Sequence, residues 1–354
     1  MLRQSFYIPP ELYRPIVLYL HQDRPSLLAV SLSSRILNAE GQRVLYKTMD
    51  ISHDAQATHT LFLTTILSQG RLASLVEEYR QPHNILRSRE DPFWDLLHRG
   101  LQAMVNLKKL FLEAPSHGRP SVEILRGCTF QLDLLQWYNA SDLNEEEPQF
   151  LEFLASQTRL RSLSVRLKNV STPIPASTCP TLEILHGDQG AMKAFLPERR
   201  IASLALTWMP SLDEPFDNTN FDSLSRSLKE VKFLSWGGFC DRPSLDLLCL
   251  HLENLEVLEL VGLHDLTELL FLSELPSLKV LIISEMWQSW RSPMDMAGRG
   301  EYFPKLFSIC KSLERIELYV KPQTYQRWIH DGTRVRSMPP HHVSEAILPG
   351  WNIG

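Results

Sequence analysis

The sequence lacks most of what would mark it for a membrane, for export or for catalysis. No apolar run approaches the ~18 residues of a membrane span. Pro15 to Leu20, the longest apolar stretch near the N-terminus, is too short for a signal-peptide core, and no small-residue cleavage site follows it. A cytoplasmic or nuclear location is therefore the expectation. The five cysteines, Cys128, Cys179, Cys240, Cys249 and Cys310, are odd in number and far apart, so buried thiols are expected rather than a disulfide framework. There is no Gly-rich phosphate loop and no GxSxG elbow. His341-His342 has no Cys or His partner at metal-site spacing, and Trp236-Gly237-Gly238-Phe239-Cys240 has no local base for its thiol. No metal, no cofactor and no catalytic residue are expected.

Charge of one sign is also scarce. Against 36 Lys and Arg stand 41 Asp and Glu, giving a net charge of −5. A nucleic-acid binder would show a basic stripe, so protein partners are the better expectation. The 354 residues, with 44% hydrophobic and 22% charged, are enough for a sizeable core.

What the sequence does have begins near Ile8. Pro9-Pro10 can open a helix, because proline fixes φ and the N–H it lacks is unused in the first turn. Leu12, Ile16 and Leu20 then recur on one helical face. Asp23-Arg24-Pro25-Ser26 interrupts, with Ser26 as the expected cap of a second helix carrying Leu27, Leu28, Leu32 and Ile36, bent near Ser33-Ser34 and running to about Tyr46. Gly41 inside it is a cost. About 40 residues cannot bury their own apolar surface, so this module must pack on the rest of the chain, on another protein, or on both.

The order Ile8-Pro9-Pro10-Glu11-Leu12, Ile16-Val17, Leu20 and Leu27-Leu28-Ala29-Val30-Ser31-Leu32-Ser33-Ser34-Arg35 resembles an F-box, especially those of mushroom-forming fungi. It departs from the family pattern at Ile8, Ser33 and Ile36-Leu37. The resemblance implies docking to the Skp adaptor of cullin–RING ubiquitin ligases, and through it to the cullin. Pro9, Leu12, Ile16, Leu20, Leu28 and Leu32 are the implied adaptor-binding residues.

Downstream an LxxLxL pattern recurs at roughly 19 to 35 residues. Its copies are Leu107-Leu110-Leu112, Leu132-Leu135-Trp137, Leu160-Leu163-Val165, Leu182-Leu185-Gly187 and Ile201-Leu204-Leu206. They continue as Leu228-Val231-Phe233, Leu255-Leu258-Leu260, Leu278-Leu281-Ile283 and Leu313-Ile316-Leu318. Gly187 makes the fourth copy the weakest. Helical stretches fall between copies at 92–104, 150–156, 244–250 and 266–272, and Met49 to Tyr79 fits one or two poorer copies. The fold class expected is α/β: a short helical module, then an irregular leucine-rich-repeat solenoid of alternating helix and parallel strand. The domain reading is 6–48 for the module, 49–330 for the repeats and 331–354 for a tail, with 323–329 as a cap on the last repeat. Pro115, Ala140, Lys168, Met209, Trp236, Leu263 and Met286 stand where regular repeats place Asn or Cys, so no asparagine ladder is expected.

If the leucines point inward, the residues between them line the opposite face of the sheet. Their composition is mixed, which suits a protein surface. Phe111, Tyr138, Arg166, Trp236, Trp287 and Tyr319 are the expected target-binding residues, with Trp208, Trp236, Trp287 and Trp290 read as lying in loops just after strands. Three functions stay open at this point. One is a non-catalytic substrate receptor of a Skp–cullin–F-box ligase. Another is an interaction scaffold whose F-box-like helices only cap the solenoid. The third is an enzyme built on an irregular array, which would need a pocket gathering a Cys or Ser, a His and a carboxylate.

Overall fold

The protein is seen here as a computed structural model. It describes residues 9–21, 23–49, 55–81, 92–114, 121–139, 147–167, 173–208, 221–238, 245–261, 266–284, 296–321, 324–330 and 334–338. The chain divides into two compact units, Met1–Leu160 and Arg161–Gly354.

The first unit opens with three helices, α1 (Pro10–Tyr19), α2 (Arg24–Ser33) and α3 (Arg35–Leu45). Pro10 starts α1 as expected. Asp23, not Ser26, caps α2: its carboxylate accepts from the Ser26 N–H at 3.2 Å and from the Ser26 hydroxyl at 2.6 Å. Those two bonds hold the Asp23 carboxyl below its usual range. Pro25 explains the earlier start, since proline fits the first turn of a helix and Ser26 then falls inside it. Ser34 caps α3 by accepting from the Leu37 N–H. Gly41 has a use here. A Cβ on it would lie 1.9 Å from Ser31 Oγ, so α2 and α3 approach each other through this glycine. Asn38 adds a bond to the Ser31 carbonyl at 3.1 Å.

Strands and helices then alternate. The order is β1 (Thr48–Met49), α4 (Ala55–Ser68), α5 (Gly70–Ala73), β2 (Glu78–Arg80), α6 (Pro92–Ala103), β3 (Lys109–Ala114), β4 (Leu134–Asn139) and α7 (Glu147–Ser156), with a 3-10 turn at Ser121–Leu125. The four strands pair parallel in sequence order. Register puts Met49, Tyr79, Leu110 and Leu135 in one row, all buried on the helix side. The poorer copies expected between Met49 and Tyr79 are thus β1 and β2.

The second unit continues the scheme. It contains β5 (Ser162–Val165), β6 (Ile184–Gly187), α8 (Gln189–Phe195), β7 (Ser203–Trp208), α9 (Ser225–Leu228), β8 (Phe233–Gly238) and α10 (Asp246–Cys249). After these come β9 (Val257–Val261), β10 (Val280–Ser284), α11 (Met296–Ile309), β11 (Arg315–Lys321), β12 (Thr324–Ile329) and β13 (Arg334–Met338). From β5 to β11 the pairing is parallel and sequential; β12 and β13 then fold back antiparallel. The cap expected over 323–329 is this antiparallel strand. Leu163, Leu185, Leu204, Leu234, Leu258, Leu281 and Ile316 form one fully buried ladder. Within each unit this is an α/β solenoid of alternating helix and parallel strand.

Two sequence expectations are corrected. The sixth copy is Val231-Leu234-Trp236, three residues later than the reading Leu228-Val231-Phe233. Leu234 therefore joins the core ladder, and Phe233 takes the opposite face. The helix expected over 266–272 is a 3-10 run, Leu266–Glu274, in which Leu269, Leu272 and Leu275 are buried at a spacing of three that suits its tighter turn.

Backbone bonds tie successive repeats where each strand begins. Glu77 and Glu78 N–H both donate to the Lys47 carbonyl, Lys108 and Lys109 to Glu77, and Lys279 and Val280 to Glu256. The side chains at this position alternate in charge. Glu77 lies 3.6 Å from Lys47 and 3.1 Å from Lys108, and Lys279 lies 2.7 Å from Glu256. Such exposed pairs each contribute little to stability, but they favour neighbouring repeats of opposite sign. Between β5 and β6 no helix is described. There the buried Arg199 donates to the carbonyls of Ile174, Pro175 and Cys179 and pins the loop.

Candidate functional site

The first candidate surface is the outer face of α1 and α2. Inside the unit, Val17 and Leu27 are buried. Leu12 remains 48% exposed, Leu28 50% and Leu32 85%. Ile16 and Pro9 are exposed as well, and Leu20 is half-buried. Tyr19 and Ile36, at helical spacing from Ile16 and Leu32, add further exposed apolar surface. A soluble domain buries such side chains when it can, because burying one leucine contributes ~1.5–3 kcal/mol. The described residues of the first unit leave this face uncovered. The six residues implied by the F-box resemblance all reach solvent, wholly or in part.

The second candidate is the sheet face opposite the leucine ladder, where the expected target-binding residues disperse. Phe111 is almost fully buried, because the Arg80 guanidinium lies 3.8 Å from its ring centroid. Trp236 is not in a rim loop. It lies within β8, on the ladder side, fully buried and packed near Phe221. Arg166, just past β5, is half-buried beside His186 and Asp188. The side chains of Tyr138, Tyr319 and Trp208 lie outside the described residues, as do Trp287, Trp290, Cys240 and His341-His342. At the centre of this face in the second unit, Ser203, Ala205, Phe233, Ser235, Val280 and Ile282 are all buried. It is a compact mixed surface, not an open polar platform.

One group on this face tests the enzyme reading. Ser164 Oγ and His186 Nδ1 sit 3.0 Å apart across adjacent strands. Burial, with a smaller contribution from Arg166, pushes the His186 imidazole down to about 4. The nearby Asp188 carboxyl is raised by burial, and its Oδ1 accepts from the Leu167 and Ala191 N–H groups at 3.1 and 2.9 Å. It serves as the cap of α8. No described pocket gathers the three groups around a place for a substrate. Burial raises Cys128 and Cys249 to about 12 and Cys179 to about 11, which keeps these thiols protonated and poorly nucleophilic. Among the described residues no three His, Cys, Asp or Glu side chains gather as a metal site. Among them, too, no helix is long and apolar enough to cross a membrane.

The depressed His186 makes a prediction about acid stability. The unfolded imidazole takes its proton near 6.5 and the folded one near 4. Between these values the unfolded chain binds more protons, so stability falls as pH drops from 6.5 to 4. The loss expected from this residue is on the order of 2 kcal/mol, given its partial exposure. Asp188, raised by burial, acts in the opposite sense at the acid end, so the readout is a difference. Urea unfolding at pH 7 and pH 4.5 should show a smaller pH effect in His186→Gln than in wild type.

No protein-family model and no curated protein matches the sequence. Among solved structures, a leucine-rich-repeat (LRR) protein of Leptospira interrogans is similar at 15% identity and a TM-score of 0.30. The match covers 79% of this chain and 62% of that one, so this chain spans about 62% of the neighbour's length.

Sequence reading missed the residues that hold irregular places together. Buried Gln157 accepts from the Leu132 N–H at 2.9 Å and donates to the Phe130 carbonyl at 3.3 Å. Glu317, 1% exposed, meets Arg327 Nη2 at 2.6 Å and Arg315 Nε at 3.2 Å. The available signal was a carboxylate between two core residues, in Ile316-Glu317-Leu318, with arginines nearby in the chain.

Proposed function

We propose that the protein is a non-catalytic substrate receptor of a Skp–cullin–F-box ubiquitin ligase, acting in the cytoplasm or nucleus. Residues 6–48 form the adaptor-docking module, and the repeats of 49–330 present a target protein. The observation that carries this reading is the apolar face of α1 and α2, with Leu12, Ile16, Leu28 and Leu32 left exposed. It supports docking over an internal cap, because a cap would spend those side chains on its own unit. The mechanism is positioning: holding a target beside the conjugating enzyme raises its effective concentration.

The test is co-purification of the full chain with a recombinant Skp adaptor, wild type against Leu12→Asp/Leu28→Asp. Two leucines lost from an interface should weaken binding at least about a hundredfold. Both side chains are half in solvent, so the variant should melt close to wild type. A wild-type chain that is folded and does not bind the adaptor would sink the reading.

A further inference from the structure

A cleft of about 580 Å³ opens in the first unit between the N-terminal helices and the repeat turns. Its floor is apolar, with Val17, Leu75 and Leu107 among the lining residues. Five cations surround it: Arg14 from α1, Arg43 from α3, and Lys47, Lys108 and Arg159 from the turns. The lining holds only two carboxylates, Glu40 and Glu77. Glu77 is shared by Lys47 and Lys108, Glu40 takes Arg43 at 2.7 Å, and Arg159 reaches Asp133 at 3.0 Å. Arg14 has no ion-pair partner among the described residues. The cations exceed the local acids in a chain whose net charge is −5.

We propose that this cleft binds an acidic, aliphatic-bearing segment of a partner protein. Carboxylates would pair with Arg14, Arg43 and Lys108 at the rim, while an aliphatic side chain enters over Val17 and Leu107. Charge complementarity selects the acid. The apolar floor, and the lack of any aromatic ring in the lining on which a base could stack, select peptide over nucleic acid. On α1, positions 14, 17 and 18 fall on the side of the helix away from 12, 16 and 19. The cleft and the exposed leucine face can therefore be occupied together, and this inference does not rest on adaptor binding.

The experiment is fluorescence anisotropy of the full chain with a short fluorescein-labelled peptide of Asp, Glu and Leu. The comparison probes are the same peptide with Asn and Gln, and a single-stranded DNA oligonucleotide of equal charge. The acidic peptide should bind, and more weakly as salt rises. Affinity should drop at least about tenfold for the Asn/Gln peptide and for Arg14→Glu/Lys108→Glu. If that variant fails to fold, the milder Arg14→Gln/Arg43→Gln serves in its place. Leu12→Asp/Leu28→Asp should leave peptide affinity unchanged, which separates this site from the adaptor face. Absence of binding by folded wild type overturns the proposal. So do equal binding of the neutral peptide, equal binding by a folded cleft variant, or tighter binding of the oligonucleotide.

Discussion

Gly187→Leu, which would restore the repeat pattern at its weakest copy, should destabilise the second unit by about 3 kcal/mol or more. The pattern places an apolar side chain here, and register confirms the place: Gly187 lies between Val165 and the Leu206 position in the inner row. But α8 packs directly on β6. A Cβ at 187 would lie 2.5 Å from the Val165 carbonyl oxygen and 2.5 Å from Ala191 Cβ. One of these obstacles is backbone and the other belongs to a fully buried residue, so neither can swing aside. Gly190 repeats the demand, since its Cβ would fall 1.3 Å from the Leu167 carbonyl oxygen. The short α8 thus approaches the sheet through two glycines, where a regular repeat would use a leucine. Urea unfolding followed by circular dichroism gives the number, and Gly187→Ala should already show a measurable part of the loss.

Glu317→Ala should cost about 3 kcal/mol and loosen the C-terminal hairpin. Glu317 sits on β11, and its Oε1 accepts from Arg327 Nε on β12 at 2.7 Å. Arg315 approaches the same oxygen at 3.2 Å. Removing the carboxylate leaves two guanidinium groups partly buried and facing each other without an anion. The pair also fixes register, because Glu317 and Arg327 are direct cross-strand partners. Limited proteolysis should show faster cleavage near β12 in the variant, with the parallel strands before it still protected. Equal stability in Glu317→Ala and wild type would mean that apolar packing, including Phe303 against Trp328, holds the hairpin by itself.

These two sites show where the sequence was legible. The leucine ladder could be read because its side chains face the helices at a fixed place in each strand, so one buried row repeats in the sequence. The sixth copy misled because β8 is buried on both faces. Phe233, Leu234, Ser235 and Trp236 are all buried, and a strand without alternation offers no phase. Leu228 and Val231 are buried too, in the preceding helix and turn, and completed a false match. Trp236 was assigned to a loop for the same reason. Gly187 and Gly41 looked like defects because close approach between elements leaves no periodic signal. Arg199 and Gln157 bond to backbone carbonyls and N–H groups far along the chain, and no local pattern announces such partners. The adaptor face was legible because four leucine and isoleucine positions on two short helices exceed what a module of that size can bury.

The most direct measurement of the central claim is hydrogen–deuterium exchange of the full chain with and without a recombinant Skp adaptor. The account predicts slower exchange confined to α1 and α2, with the strands from β2 to β11 unchanged. Protection that falls on the repeats instead, or no protection at adaptor concentrations that saturate a known F-box, would contradict it.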